Sequence, residues 1–392
     1  MSKRSYYTTP LFVIVTCIAL FLLVHTVNTT NYINEVSSLS LSKAIKSHGI
    51  MKEKYEEYKS LNTSQHIEMP ESVRAVYVSS WVAGTVSLRN KLIAFVDDSD
   101  LNAIVIDIKD STGVISFNIE DPLISSYGTT SNRISNIEEL IADLHDRDIY
   151  IIGRISTFQD PLLVKKNPEF ALMNIETNKP WVDRKGLAFL DPQNQKVWEY
   201  LKVIAHESYT LGFDEINFDY IRYPSDGKIS LIDYALKEGQ TRRDGLKSFY
   251  QYIDENVRQK GIPISADIFG LVTMAEDDIG IGQYLEDIFP YFDAIAPMVY
   301  PSHYSAGFFG FSNPDEHPYE VVKKAMQTGI NRAIAIDEDP QKLRTWIQDF
   351  SLGVPYDTKK VRAQIDATYE IGLDSYMSWD PKNRYTKDAY YR

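Results

Sequence analysis

Residues 212–224 read GFDEINFDYIRYP, and this stretch decides the fold. Ile216 and Phe218 place apolar bulk between a glycine and a proline, as expected for a short buried strand in a parallel sheet. Asp219 and Arg222 follow at its end, where a simple connection would carry small polar residues. An ion pair that only caps the strand would give the same pattern, because such pairs need not be catalytic. The stretch therefore predicts a buried strand that delivers a carboxylate to its carboxyl end.

Seven similar apolar runs lie elsewhere between residues 71 and 392, and segments with helical spacing separate them. This alternation is typical of a βα barrel or a doubly wound sheet. Neither a dinucleotide-binding fingerprint nor a Walker sequence occurs, and eight units in this length favour the barrel. We therefore predict an α/β fold, a (β/α)8 TIM barrel, with strands at Ala75–Ser79, Ala103–Ile108, Tyr150–Ile155, Glu215–Asp219, Ile264–Ile268, Ala294–Val299, Thr345–Gln348 and Ser375–Ser378.

The composition excludes several classes of partner and chemistry. The 392 residues carry a formal net charge of −13 with scattered basic residues, so we do not expect nucleic acid as a partner. The only cysteine, Cys17, allows no intrachain disulfide and no cysteine-based metal site. No His-Glu-x-x-His motif and no Gly-x-Ser-x-Gly motif occurs, which argues against a zinc deacetylase and an esterase. We expect no metal and no other cofactor.

The N-terminal segment has the pattern of an export signal. Lys3 and Arg4 precede an apolar run that extends from Leu11 to Val27, and polar residues follow it. No Ala-x-Ala cleavage site follows the run, which favours an uncleaved anchor in the membrane over a cleaved signal peptide. We therefore expect the rest of the chain outside the cytoplasm, anchored by this segment or secreted if it is cleaved.

The chain then divides into three parts. Residues 1–27 form the signal anchor or signal peptide. The polar composition of residues 28–70 predicts a partly helical stalk that ends at Pro70. Residues 71–392 form the barrel domain.

Acids and aromatic residues follow the predicted strands, whereas the strand starts carry mostly Arg, Ala, Asn, Gly and Pro. In a TIM barrel the carboxyl ends of all strands meet at one rim, where the substrate binds. Cleavage of a glycosidic bond needs two carboxyl groups and aromatic faces that hold the sugar ring. The candidates in chain order are Trp81, Asp107, Asp110, Arg154, Asp219, Arg222, Asp267, Tyr300, His303, Trp346, Asp349 and Trp379.

Several motifs in one order resemble a family of bacterial exported proteins. They are Arg74–Tyr77, Val105–Asp110, residues 212–224, Ser265–Gly270, Ala296–Tyr304, Trp346–Phe350 and Trp379–Pro381. Proteins of this family carry a glycoside hydrolase-like domain of uncharacterised function that is grouped with the TIM-barrel glycosidases. The resemblance covers about residues 73–392. It implies a barrel fold and a glycosidase activity but does not fix the substrate.

The central stretch departs from the chitinase-type pattern Asp-Gly-x-Asp-x-Asp-x-Glu. With Asp214 placed on the first acid, Asp219 falls on the third and Ile221 stands where the catalytic Glu would be. The proton donor must therefore come from another strand.

We predict that Asp219 is the nucleophile or base and that Asp267, on the adjacent strand, is the acid. Burial and the neighbouring negative charge would have to keep Asp267 protonated near neutral pH. Asp107 or Asp110 is the alternative acid.

Arg154 and Arg222 would position Asp219 or keep it ionised. Tyr300 and His303 would contact the polysaccharide or oligosaccharide, with Asp110 and Asp349 nearby at the rim. A floor under the sugar would come from Trp81, Trp346 and Trp379. A non-catalytic barrel that binds glycan or serves as an envelope scaffold is the second hypothesis.

Overall fold

The computed structural model describes residues 66–391. Eight parallel strands close into a barrel in which each strand pairs with its neighbours in sequence and the last strand pairs with the first. The TIM-barrel prediction is confirmed, and all eight predicted strands are present. The strands are β1 (Arg74–Val78), β2 (Ala103–Lys109), β3 (Tyr150–Ser156), β4 (Glu215–Asp219), β5 (Ile264–Phe269), β6 (Ala294–Met298), β7 (Thr345–Gln348) and β8 (Tyr376–Trp379).

Helices connect consecutive strands around the outside of the barrel. They are α1 (Ser80–Gly84), α2 (Val86–Asp97), α3 (Pro122–Tyr127), α4 (Ile137–His145), α5 (Pro161–Lys166), α6 (Gln195–Leu211), α7 (Arg242–Asn256), α8 (Leu285–Ile288), α9 (Pro318–Ala335) and α10 (Thr358–Glu370). The long connections after β3 and β4 also pair with each other, through the short antiparallel strands Met173–Asn174 and Ile232–Asp233.

Helix α6 shows how the sequence produces one unit. The Asn194 side chain accepts a hydrogen bond from the Lys196 backbone and so caps the helix start. Val197, Leu201 and other residues of the same face are buried. The helix ends at Gly212, whose φ of 116° suits glycine, and β4 begins three residues later.

The strands separate two packed layers. Residues that alternate outward, such as Phe218 and Ile268, pack with the helices, whereas Tyr77, Tyr150 and Trp346 point into the barrel. The interior is therefore filled with side chains, and an open cavity lies above them.

A buried ion pair fills the lower part of the barrel. Both guanidinium ends of Arg344 donate to Glu215, at 2.8 and 3.1 Å. The Ser265 hydroxyl donates to the same carboxylate at 2.6 Å and the Tyr150 hydroxyl at 3.2 Å. Because each charge is paired and hydrogen-bonded, the desolvation of the pair is compensated.

The signal anchor (residues 1–27) and most of the stalk (residues 28–70) lie outside the described residues. The end of the stalk packs on the barrel, since the Ile67 backbone donates to Asp214 at 2.9 Å and the His66 ring stacks on Tyr209 at 3.8 Å. The packed domain thus begins before the predicted boundary at residue 71. Within residues 66–391 no helix combines the length and hydropathy that crossing a membrane requires.

Candidate active site

Strands β4 and β5 bring the two predicted catalytic carboxyl groups together. Asn217 lies beside Ser265 and Phe218 beside Ala266 in the parallel register, so Asp219 and Asp267 form the next pair. Both residues are buried, with 6% and 2% of their surface exposed. The alternation of a strand thus puts both acids on the inner side, while their apolar neighbours pack against the helices.

Both carboxylate oxygens of Asp219 accept hydrogen bonds. Arg154 donates to Oδ2 through Nε at 3.1 Å and also through Nη2. The Tyr220 backbone donates to Oδ1 at 2.5 Å. Tyr220 has a φ of 50°, a conformation that costs energy for a non-glycine residue and is often found at functional sites. These donors fix the orientation of the Asp219 carboxylate.

Asp267 differs from Asp219, because its surroundings raise its pKa. Burial, followed by the charge of Asp219, raises its pKa to about 8 against the effects of Arg154 and two hydrogen bonds. Burial and a neighbouring negative charge are the two causes that we expected from the sequence. Trp346 Nε1 donates to Oδ1 at 2.7 Å and Asn217 Nδ2 donates to it at 2.9 Å. The raised pKa favours the protonated form of Asp267, which is the form that a general acid needs.

Arg154 connects three acids from three strands. Its Nη1 donates to Asp107 at 2.6 Å, and its Nε lies 3.9 Å from Asp267 Oδ2 as well as 3.1 Å from Asp219 Oδ2. The two carboxylate oxygens that approach the same Nε are thus at most about 7 Å apart. This separation is compatible with paired carboxyl groups acting on one glycosidic bond.

The two alternative acids differ from Asp267 in their hydrogen-bond partners. Asp107 accepts from Arg154 on one oxygen and from the Tyr77 hydroxyl on the other, at 2.6 Å, so it orients Arg154. Burial raises the pKa of Asp107. For Asp110, burial is outweighed by hydrogen bonds from Thr112 and Arg133, and its pKa is lowered. A carboxyl group with a lowered pKa is a poor proton donor at neutral pH.

An open cavity lies above the acid pair at the carboxyl ends of the strands. Its volume is about 550 Å³ when the open mouth is included. The lining residues are Arg154, Asp219, Tyr220, Arg222, Asp267, Phe269, Met298, Tyr300, Trp346 and Trp379. Carboxyl groups, guanidinium groups and aromatic rings thus share one cavity, as the ring of strand-end residues predicted.

A family model with the description "Putative glycosyl hydrolase domain" matches residues 75–385. The chain belongs to this family. The match spans the whole barrel, including the strands that carry the acid pair. No curated protein matches the chain.

Solved structures agree with the fold of this glycosyl hydrolase domain. The PgaB (BpsB) glycoside hydrolase domain from Bordetella bronchiseptica has a TM-score of 0.55 at 13% identity, over 82% of this chain and 99% of that one. The GH20 exo-β-N-acetylglucosaminidase from Vibrio harveyi has a TM-score of 0.52 at 14% identity, over 82% of this chain and 54% of that one. A hypothetical protein from Ruminiclostridium thermocellum is 30% identical over 53% of this chain and 98% of that one, with a TM-score of 0.46.

Four residues predicted to bind substrate lie outside the cavity lining of the glycosyl hydrolase domain, namely Trp81, Asp110, His303 and Asp349. Trp81 is 65% exposed, and the guanidinium of Arg133 lies 4.7 Å from its ring. His303 is exposed beside Tyr300, with ring centroids 5.4 Å apart, and partial burial lowers its pKa. The Asp349 carboxylate is occupied, because it accepts from the Thr386 backbone and hydroxyl at 2.8 and 2.6 Å and from the Tyr390 hydroxyl at 2.8 Å.

Asp349 therefore fastens the C-terminal segment to the barrel. Burial raises its pKa to about 6. Arg222 also differs from expectation, since Arg154 alone makes the ion pair with Asp219 among the described residues.

Four further residues belong to the site and were not among the predicted candidates, namely Asn217, Tyr220, Phe269 and Met298. Asn217 donates to Asp267, and the other three line the cavity. The position of Asn217, two residues before Asp219 on one strand, is the signal that would have found it, because such residues share a face.

Proposed function

We propose that the domain hydrolyses glycosidic bonds of a polysaccharide, with Asp219 and Asp267 as the catalytic pair. The proposal rests on the contrast between two adjacent acids in one cavity. One accepts several hydrogen bonds, and the other has a raised pKa. Asp219 accepts three N–H donors, whereas burial and the Asp219 charge raise the pKa of Asp267 to about 8. Two carboxyl groups with different protonation states are the requirement of glycoside hydrolysis.

The hydrogen bonds indicate which oxygen of Asp267 carries the proton. Oδ1 accepts two N–H donors, from Trp346 and Asn217, so its lone pairs are engaged. Oδ2 accepts no hydrogen bond from any residue between 66 and 391, and the proton belongs there. In the reaction this proton passes to the leaving glycosidic oxygen as the bond from that oxygen to the anomeric carbon breaks.

Asp219 supplies the second half of the reaction. Its carboxylate either attacks the anomeric carbon or removes a proton from the water that attacks it. Arg154 orients Asp219, and Asp107 holds Arg154 in place through Nη1 of the guanidinium. The aromatic side chains of Tyr300, Trp346 and Trp379 supply apolar walls for a sugar ring.

We also propose that the domain acts outside the cytoplasm, anchored through residues 1–27. This rests on Lys3 and Arg4 before the apolar run and on the lack of a cleavage site after it. Mass spectrometry of the N-terminus of the protein purified from membranes tests it. A membrane-bound protein that retains residues 1–27 is expected, and a cytoplasmic protein would contradict the proposal.

The catalytic proposal is tested with the variants Asp219→Asn and Asp267→Asn on purified bacterial exopolysaccharides and wall glycans. The measurement is the release of new reducing ends. Asp374→Asn is the matched control, because Asp374 is exposed just before β8, at the amino end of that strand. Both site variants should lose most of the turnover and the control should keep it. If both site variants keep the parent's turnover on a cleaved substrate, the assignment is wrong. Binding without cleavage by the parent would favour the scaffold hypothesis.

A further inference from the structure

One arginine of the cavity makes no ion pair with any residue between 66 and 391. Arg222 is 8% exposed and lies three residues after Asp219. Its Nη1 donates to the Tyr223 carbonyl at 3.0 Å. Within residues 66–391 it makes no other hydrogen bond and no ion pair. A guanidinium has five N–H donors, so most of its capacity is unused.

The other two buried arginines show what burial normally requires. Arg154 pairs with Asp107 and Asp219, and Arg344 pairs with Glu215 through both ends of its guanidinium. An unpaired buried charge is costly, and buried arginines are therefore usually paired. Arg222 departs from that rule at the wall of the cavity.

Aromatic rings fix the guanidinium of Arg222 without occupying its donors. Its central carbon lies 4.6 Å from the ring centre of Phe269, 5.2 Å from that of Tyr220 and 5.9 Å from that of Phe189. These faces attract the cation but accept few hydrogen bonds. The Nε and Nη2 atoms have no hydrogen-bond partner among residues 66–391. They are nevertheless not among the fully buried polar atoms of that range. They are therefore reached from the cavity that Arg222 lines.

The charged residues that line the cavity support the same conclusion. They are Arg154, Asp219, Arg222 and Asp267. Arg154 is engaged by Asp107 and Asp219. Arg222 is therefore the cation of the lining that makes no ion pair within residues 66–391.

We propose that Arg222 binds the carboxylate of an acidic sugar, so that the substrate is a polysaccharide containing uronic acid units. This deepens the proposed function and rests on it for the claim that the bound glycan is cleaved. The free edge of a guanidinium matches a carboxylate with two parallel hydrogen bonds, which an ammonium or a neutral amide cannot reproduce.

The test measures binding by titration calorimetry in the Asp267→Asn background, so that the ligand stays intact. The probes are tetramers of glucuronate and of galacturonate, each compared with its carboxyl-reduced neutral form. At least one acid should bind roughly tenfold or more tightly than its reduced form, as expected for a charged bidentate pair. Equal affinity of each acid and its reduced form would overturn the proposal, and this comparison needs no change at Arg222.

Two further variants assign the preference to Arg222. Arg222→Gln should bring the affinity ratio close to one, and Arg222→Lys should keep only part of it. Thermal melting shows that each variant is folded. A folded Arg222→Gln that keeps the full preference would overturn the proposal. Reducing-end release by the parent is measured separately. A preference for acid without cleavage would refute only the hydrolase function, and cleavage of neutral glycans without a preference would refute only the role of Arg222.

Discussion

Trp346→Phe should move the alkaline limit of activity to higher pH. The indole Nε1 donates to Asp267 Oδ1 at 2.7 Å, and this bond lowers the pKa of Asp267 because it favours the ionised form. Phenylalanine keeps an aromatic ring but has no donor. The acid must be protonated to act, so the upper limb of the pH profile follows its pKa.

The size of the effect follows from the hydrogen bond. A bond to a charged group contributes about 1.5–3 kcal/mol, and a change of one pKa unit corresponds to about 1.4 kcal/mol. The pKa of Asp267 is raised to about 8 in the parent. The variant should therefore show an upper limb displaced upward by roughly one pH unit or more.

The assay is the pH dependence of kcat/KM, which reports the protonation states of the free enzyme. Trp379→Phe is the matched control, because Trp379 lines the same cavity and donates no hydrogen bond to Asp267. The control should keep the parent's upper limb. If Trp346→Phe leaves that limb in place or moves it downward, Asp267 is not the acid that the profile reports.

Three further predictions concern the neighbours of the acid pair. Asp107→Asn removes the charge that holds Nη1 of Arg154. Steady-state kinetics should show that kcat falls about tenfold or more while KM changes little. An equal loss of kcat/KM that comes from KM alone would contradict this. Glu215→Gln leaves the buried Arg344 without a counter-charge and should reduce the free energy of unfolding by about 3 kcal/mol, measured by urea denaturation; an unchanged midpoint would contradict it. Asp267→Asn should stabilise the fold. The folded state raises the pKa of this acid from 3.8 to about 8, so stability is lost as pH rises between those values, and asparagine removes that loss. The gain in melting temperature should therefore be larger at neutral pH than at acidic pH, and a gain that shrinks as pH rises would be inconsistent with a raised pKa.

The eight strands could be predicted because each is a short apolar run between turn signals, and such runs depend on local sequence. The acid pair could be predicted for a related reason. Residues at the ends of parallel strands meet at one rim, so Asp219 and Asp267 had to lie near each other.

The roles of other rim residues depend on distant partners and could not be predicted in this way. Asp349 also follows a strand, but Thr386 and Tyr390 occupy its carboxylate from 37 and 41 residues further along the chain. Asp110 pairs with Arg133 in the connection that follows β2. No local pattern distinguishes these acids from Asp219, because the difference lies in which side chains the connections bring to them.

Arg154 and Arg222 show the same limit for cations. Arg154 lies near the end of β3 and Arg222 follows β4. Both line the cavity, yet Arg154 binds two acids whereas Arg222 lies among aromatic rings. Their opposite roles follow from the side chains around them, which come from several strands.

The most direct test of the central claim separates the roles of the two acids by the leaving group. An unactivated substrate of the parent is compared with an aryl glycoside of the same sugar whose phenol leaves without protonation. Asp267→Asn should be inactive on the first and recover most of the parent's rate of bond cleavage on the second, because only the proton donor has been removed. Asp219→Asn should be inactive on both. Recovery by Asp219→Asn instead, or recovery by neither variant, would contradict the assignment of Asp267 as the acid.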